Sequence, residues 1–167
     1  ELTDETKVFY GVTLHRIRAL TAVGVLAAAG QLGGWVESEK NLEQSGNAWV
    51  SGDAWVSGNA WVSGDARVSG NAQVYGDARV SGNAWVSGNA QVSGGAWVYG
   101  NAQVSGDAWV SKTRHYLTVG PVGSEDRTVT ICRTKTDDTT GHYVLAGCWS
   151  GTVDQLAERV TSAWPDL

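Results

Sequence analysis

The stretch Gly46-Asn47-Ala48-Trp49-Val50-Ser51-Gly52-Asp53-Ala54-Trp55-Val56-Ser57 decides how this chain folds. It holds two copies of the hexad Gly-Asn/Asp-Ala-X-Val-Ser, and eleven consecutive copies run from Gly46 to Ser111. Valines recur at every sixth position from Val50 to Val110, each with an alanine two residues before it. Residues two apart in a strand point the same way. Ala and Val therefore face inward, and X and Ser face outward. Gly followed by Asn or Asp makes the corner, because these residues best tolerate tight or left-handed backbone. Each hexad is one short strand and one turn. A lone hexad cannot bury its apolar face. Coils stacked strand on strand, roughly 4.8 Å apart, can.

The pattern Val-x-Gly-Asn/Asp-Ala-x resembles the hexapeptide repeat of left-handed parallel β-helices. That resemblance implies a left-handed path, a triangular section and three hexads in each coil of 18 residues. Residues 18 apart then stack. One side carries Trp49, Arg67, Trp85 and Gln103. The second carries Trp55, Gln73, Gln91 and Trp109. The third carries Trp61, Arg79 and Trp97. On two sides an arginine lies between two tryptophans, a spacing suited to cation–π stacking. Adjacent glutamines on the second side are expected to pair their amides. Tyr75 and Tyr99 replace serine in the outward column and add aromatic surface.

Working outward, Trp35-Val36 and Leu42 read as two degenerate hexads, and Glu43–Ser45 as an insertion that breaks the register. Three parts follow: an N-terminal cap over residues 1–31, the β-helix over 32–111, and a small module over 112–167. In the cap, Lys7–Leu20 alternates like a strand (Val12, Leu14, Ile17), and the Ala-rich run after it suits a short helix or a turn. Arg16 and Arg18 ahead of the apolar run Ala19–Ala29 imitate a signal peptide, but the fifteen residues in front argue for uncleaved structure. In the C-terminal module three strands are expected, at Tyr116–Val119, Thr128–Arg133 and Tyr143–Trp149, with a polar hairpin loop at Thr134–Gly141. A helix is expected at Val153–Ala163. Thr152 and Gln155 would form its capping box, Val153, Leu156 and Val160 its buried stripe, and Pro165 its stop. Both end segments are expected to cover the open ends of the β-helix, which otherwise expose unpaired strand groups. The fold class is thus all-β dominant, a β-helix with a β-β-β-α module.

Composition agrees. Among 167 residues there are 22 Gly, nine Trp, one Phe and no Met, a skew typical of a repeat. The formal net charge of −5 argues against a nucleic-acid polymer as partner. No apolar stretch is long enough to span a membrane. Two cysteines, Cys132 and Cys148, fit a reducing compartment better than a disulfide framework.

The layout includes Leu14-His15-Arg16-Ile17-Arg18-Ala19-Leu20, Leu32-Gly33-Gly34-Trp35-Val36-Glu37-Ser38, the hexads, and the tail Gly147-Cys148-Trp149-Ser150-Gly151-Thr152. It resembles phage- or prophage-encoded hexapeptide-repeat proteins of the type loosely called polymer-forming. Only the Ala-rich Thr21–Gln31 departs from that pattern. The resemblance implies a viral origin and the cytoplasm of a bacterial host.

Several functions remain open on these residues. Many left-handed β-helices are acyltransferases with a catalytic histidine on a coil loop. Here His15, His115 and His142 all lie outside the repeat, and no loop interrupts the coils after Gly46. A zinc-dependent variant of the fold would need coil histidines. Cys148, ahead of a helix and with His142 or His115 as base, is a formal nucleophile, but it reads better as a small core residue continuing a strand. A non-enzymatic binding protein, without cofactor or metal, fits better. Outward tryptophans either knit neighbouring coils together or form an association surface. The expected partner is the protein itself, as a homo-oligomer, a trimer. The expected ligand is a host protein or an anionic, nucleotide-like molecule, held where arginine and aromatic side chains converge. The candidate residues are Trp61, Arg79, Trp97, Tyr99, Trp49, Arg67 and Trp85 on the coils, with Arg114 and Arg133 on the C-terminal module. The helix start after Gly147 adds free backbone N–H groups. In this reading the protein sequesters a nucleotide signal or blocks a host defence factor. A phage structural or filament component is the rival from another class.

Overall fold

A computed structural model describes residues 1–122, 126–135 and 140–163. The hexads form a β-solenoid with three faces. Strands β4 (Trp49–Val50), β7 (Arg67–Val68), β10 (Trp85–Val86) and β13 (Gln103–Val104) make the first side. The second side holds β5 (Trp55–Val56), β8 (Gln73–Val74), β11 (Gln91–Val92) and β14 (Trp109–Val110). The third holds β6 (Trp61–Val62), β9 (Arg79–Val80) and β12 (Trp97–Val98). All these pairings are parallel, and Trp49 pairs with Arg67, 18 residues on, as expected. The amide of each coil donates to a carbonyl of the next, as from Trp49 N to Ala66 O at 3.0 Å and from Ser51 N to Val68 O at 2.9 Å.

The interior is the Ala/Val column. All eleven repeat valines are at 0% exposure. Burying one valine contributes about 1.5–3 kcal/mol, which is how two-residue strands persist. Small alanines leave room for the corner, where Gly52 takes φ +67°. At Gly88 a side chain is excluded twice over. Its φ is +66°, and a Cβ there would lie 2.9 Å from the Gly106 nitrogen on the next coil.

The irregular first coil follows the expected register. In β3 (Leu32–Val36) Trp35 pairs with Trp55, and Leu42 bridges to Val62. That coil is two residues longer than the 18 separating Trp49 from Arg67, and the excess falls at the Glu43–Ser45 insertion. Glu43 anchors it, its carboxylate accepting from Gly64 N at 2.6 Å.

The N-terminal cap differs in detail. Lys7–Leu20 is not one strand. Strand β1 (Leu2–Phe9) and β2 (Val12–Arg18) form an antiparallel hairpin, and β2 pairs antiparallel with β3. Tyr10 and Gly11 turn the hairpin with φ of +49° and +79°, the positive values that a tight two-residue loop demands. The Ala-rich run is a turn with a Val23–Ala27 bridge, not a helix. Ala19 and Ala27 still join the core.

The C-terminal module has four antiparallel strands rather than three: β15 (Tyr116–Val122), β16 (Arg127–Lys135), β17 (Thr140–Ala146) and β18 (Trp149–Thr152). The predicted strand Tyr143–Trp149 is broken at Gly147, whose φ of +64° reverses the chain. The expected hairpin loop falls largely on residues 136–139, and Pro165 on the tail, both outside the described residues. Helix α1 (Val153–Ala163) has the expected capping box: Thr152 N donates to Gln155 Oε1 at 2.9 Å, and Gln155 N to Thr152 Oγ1 at 3.2 Å. Its stripe is only partly covered: Leu156 is half-buried, and Val153 and Val160 are exposed where the helix packs on β17 and β18 at the edge of the sheet.

Both ends of the solenoid are covered. Each coil's amides need the carbonyls of a following coil, and the last coil has none. Side chains of the C-terminal module supply acceptors instead. Trp97 N donates to Thr113 Oγ1 (3.1 Å), Tyr99 N to the Tyr116 hydroxyl (3.3 Å) and Gln103 N to Thr130 Oγ1 (3.1 Å). Cys132, fully buried beside them, closes the interior.

Candidate functional site

The outward tryptophans separate into two groups. Trp61, Trp85 and Trp97 are exposed at 40, 45 and 50%. Trp49 and Trp55 are not, at 6 and 8%. Trp49, expected on the outer surface, lies in the main core, near Gly33 and Ile17 of the N-terminal cap. Its indole N–H is buried without a protein acceptor. It is a structural residue, and the cap, which carries no repeat, is what covers it.

The third side keeps its ladder. Arg79 and Tyr99 are exposed, and the Arg79 guanidinium carbon sits 5.0 Å from the centre of the Trp97 ring. Tyr99 meets Tyr116 edge-on at 6.4 Å. On the first side Arg67 is exposed, and the Trp85 indole N–H donates to Ser69 Oγ at 3.1 Å.

The second side is enclosed at both ends, which the repeat does not foretell. At one end the β1–β2 hairpin folds its tip over the outer face. Phe9 stands 5.2 Å from Trp55, Trp55 stacks on Tyr75 at 5.6 Å, and Leu14, Trp35 and Trp55 form a second small core. A cleft of about 390 Å³ opens beneath the tip, lined by Phe9, Tyr10, Trp55, Ser57, Tyr75 and the two glutamines Gln73 and Gln91, among others. Those glutamines sit one coil apart, but their carboxamides make no hydrogen bond to each other, contrary to expectation. At the other end lies Trp109. Arg133 and Lys135 approach its ring at 5.4 and 5.3 Å, and His115 lies tilted beside it at 5.8 Å. Arg133 also reaches His115 Nε2 at 3.3 Å. Arg114 and Arg133 line one open cleft of about 600 Å³ with His115 and His142. The His115 pKa is lowered, first by desolvation and then by Arg133, Arg114 and Lys112, so its ring is neutral at pH 7.

The structure thus joins Arg114 with Arg133 in one cleft and Trp61 with Arg79 and Trp97 in one sheet, and Tyr99 meets Tyr116, which lines that cleft. Phe9, Tyr10, Tyr75, Gln73, Gln91, Trp109 and Lys135 were missed as a group. Their only signals were the hydrophobic Phe9-Tyr10 ahead of Gly11 and the Tyr75 substitution in a serine column.

The two cysteines differ sharply. Cys132 is buried, and desolvation pushes its thiol pKa up to about 12. Cys148 is exposed in the turn after Gly147, not buried in a strand as expected. Among the described residues no group of three or more His, Cys, Asp or Glu side chains is placed to hold a metal ion, and no helix is long and apolar enough to cross a membrane.

Stacked coils of this kind define a β-solenoid repeat protein. Within that class, the chain matches the model of the YdcK beta solenoid repeat over residues 60–76 and again over 72–88, in the middle of the regular run. No curated protein matches it.

Proposed function

We propose that this chain is a non-enzymatic binding protein that works as an oligomer, assembled side by side through the third face of the solenoid. One observation carries the reading: Trp61, Arg79 and Trp97 lie exposed on one sheet, with Tyr99 exposed just beyond its last strand. Trp, Tyr and Arg are the side chains that anchor protein interfaces. A second copy suits this face. With the partner antiparallel and displaced by one coil, the Arg79 of each copy meets the Trp97 of the other, a self-complementary contact of the kind twofold dimers use. End-to-end stacking into a filament has less support, because the amides of Trp97, Tyr99 and Gln103 are already bonded to the C-terminal module. Following the resemblance of its layout, the protein is proposed to be phage-borne, to act in the cytoplasm of a bacterial host, and to hold a small nucleotide-like molecule there.

Light scattering after size exclusion tests the assembly. The parent chain is expected at a multiple of its 17.6 kDa mass, and the double variant Trp61→Ser/Trp97→Ser at the mass of one chain with an unchanged circular dichroism spectrum. A parent that is monomeric at micromolar concentration overturns the reading.

A further inference from the structure

The second face carries the chemistry of a small-molecule site, and the cleft beneath the hairpin tip opens onto it as far as Gln91. Along it run Trp55, Gln73, Gln91 and Trp109, each paired with the next in one parallel sheet. At roughly 4.8 Å per coil, Tyr75 stands about 10 Å from Trp109. Between these aromatic ends the floor is Gln73 and Gln91. Each carboxamide offers a coplanar donor and acceptor, and neither side chain is hydrogen-bonded to the other. The cleft at the Tyr75 end is lined by aromatic, aliphatic and uncharged polar side chains, among them Phe9, Trp55, Ser57 and Tyr75. Two cations stand at the Trp109 end, where Arg133 and Lys135 lie over the ring.

We infer that this face binds a nucleotide lengthwise, from the cleft at Tyr75 toward Trp109. The base seats against Tyr75 and Phe9, its edge meets the amides of Gln73 and Gln91, and the phosphate lies at Arg133 and Lys135. The physical reasons are separate at each end. Aromatic faces stack planar bases, a contact worth about 1–3 kcal/mol per base. Glutamine amides match the donor–acceptor edge of a purine. Lysine and arginine hold phosphate. A neutral ligand would leave the basic end unused, and inorganic phosphate would leave the aromatic end unused. The inference rests on the reading of the chain as a binding protein. It gives that protein a ligand class, and moves the site from the third face to the second.

Titration calorimetry of the full chain with adenosine, AMP, guanosine and GMP tests it. At least one monophosphate is expected to bind, one per chain, about tenfold more tightly than its nucleoside, and added salt should weaken only the monophosphate. Tyr75→Ser restores the serine found at Ser57 and Ser93, and its circular dichroism spectrum should match that of the parent. It should weaken nucleoside and nucleotide alike, tenfold or more. Lys135→Gln should weaken the nucleotide and leave the nucleoside unchanged. The site is overturned if none of the four binds at millimolar concentration, if inorganic phosphate binds as tightly as the monophosphates, or if Tyr75→Ser changes nothing. Light scattering reads the assembly separately, so failure of this site and failure of the oligomer are distinguishable.

Discussion

The carboxamide of Asn47 donates to the carboxylate of Asp65, one coil on, at 2.7 Å. The same bond recurs around the corners, from Asn59 to Asp77 at 3.0 Å, Asn71 to Asn89 at 3.1 Å, Asn83 to Asn101 at 3.2 Å and Asn89 to Asp107 at 3.2 Å. A parallel stack repeats every side chain directly above its like, so charges need separation. This chain provides it. Asp65 lies between Asn47 and Asn83, Asp77 between Asn59 and Gly95, and Asp53 next to Asn71. Arg67 and Arg79 lie between tryptophans.

Asn71→Asp would set two carboxylates, Asp53 and the new one, one coil apart. At roughly 4.8 Å the repulsion costs about 1 kcal/mol in a water-like dielectric. A like charge nearby raises the pKa of a folded-state carboxyl, so the cost is present at neutral pH and disappears as pH falls through that pKa. Thermal melts should show the variant less stable at pH 7 and level with the parent near pH 3. An equal deficit at both pH values would refute the electrostatic account.

Val68 is fully buried in the Ala/Val column. Val68→Asp places a charge where nothing can solvate or pair it, a change expected to cost more than about 4 kcal/mol. Urea denaturation should find the variant unfolded or nearly so. A midpoint close to that of the parent would mean valine does not face inward.

Two corner positions make opposite forecasts. Gly88→Ala forces a Cβ into positive-φ backbone and to within 2.9 Å of the Gly106 nitrogen, and should lose about 1–3 kcal/mol. Gly95 has open space around its Cβ position and no positive φ, and it occupies the position that Asp77 holds one coil earlier. Gly95→Asn should therefore gain about 0.4–1 kcal/mol by restricting the unfolded chain. Chemical denaturation of the pair checks both signs.

Thiol labelling of the native protein should report a single reactive cysteine. Cys148 is exposed, whereas the Cys132 pKa of about 12 keeps it protonated at any ordinary pH. Cys148→Ser should abolish native labelling by a disulfide reagent at pH 8, and denaturant should restore one equivalent from Cys132. Rapid labelling of native Cys148→Ser would show that the C-terminal cap does not seal the last coil.

By itself the sequence determined the strand and corner of every hexad and the inward Ala/Val column, while the three faces and the stacking of residues 18 apart came from its resemblance to hexapeptide-repeat β-helices. The strand, the corner and the inward column follow from a local rule, two-residue alternation closed by Gly-Asn/Asp. The Thr152–Gln155 helix start was legible for the same reason, since its contacts lie within four residues. What the tertiary structure alone decided is where the two aperiodic ends dock. Nothing in Phe9-Tyr10-Gly11 says that the hairpin tip bends over Trp55, and nothing in Arg133 and Lys135 says that they reach Trp109. Yet the docking of the N-terminal segment sorts buried Trp49 and Trp55 from exposed Trp61, Trp85 and Trp97, and it forms the cleft over the second face. Periodicity specifies which direction a side chain points. Whether it meets solvent or another segment depends on long-range packing, which has no period to read.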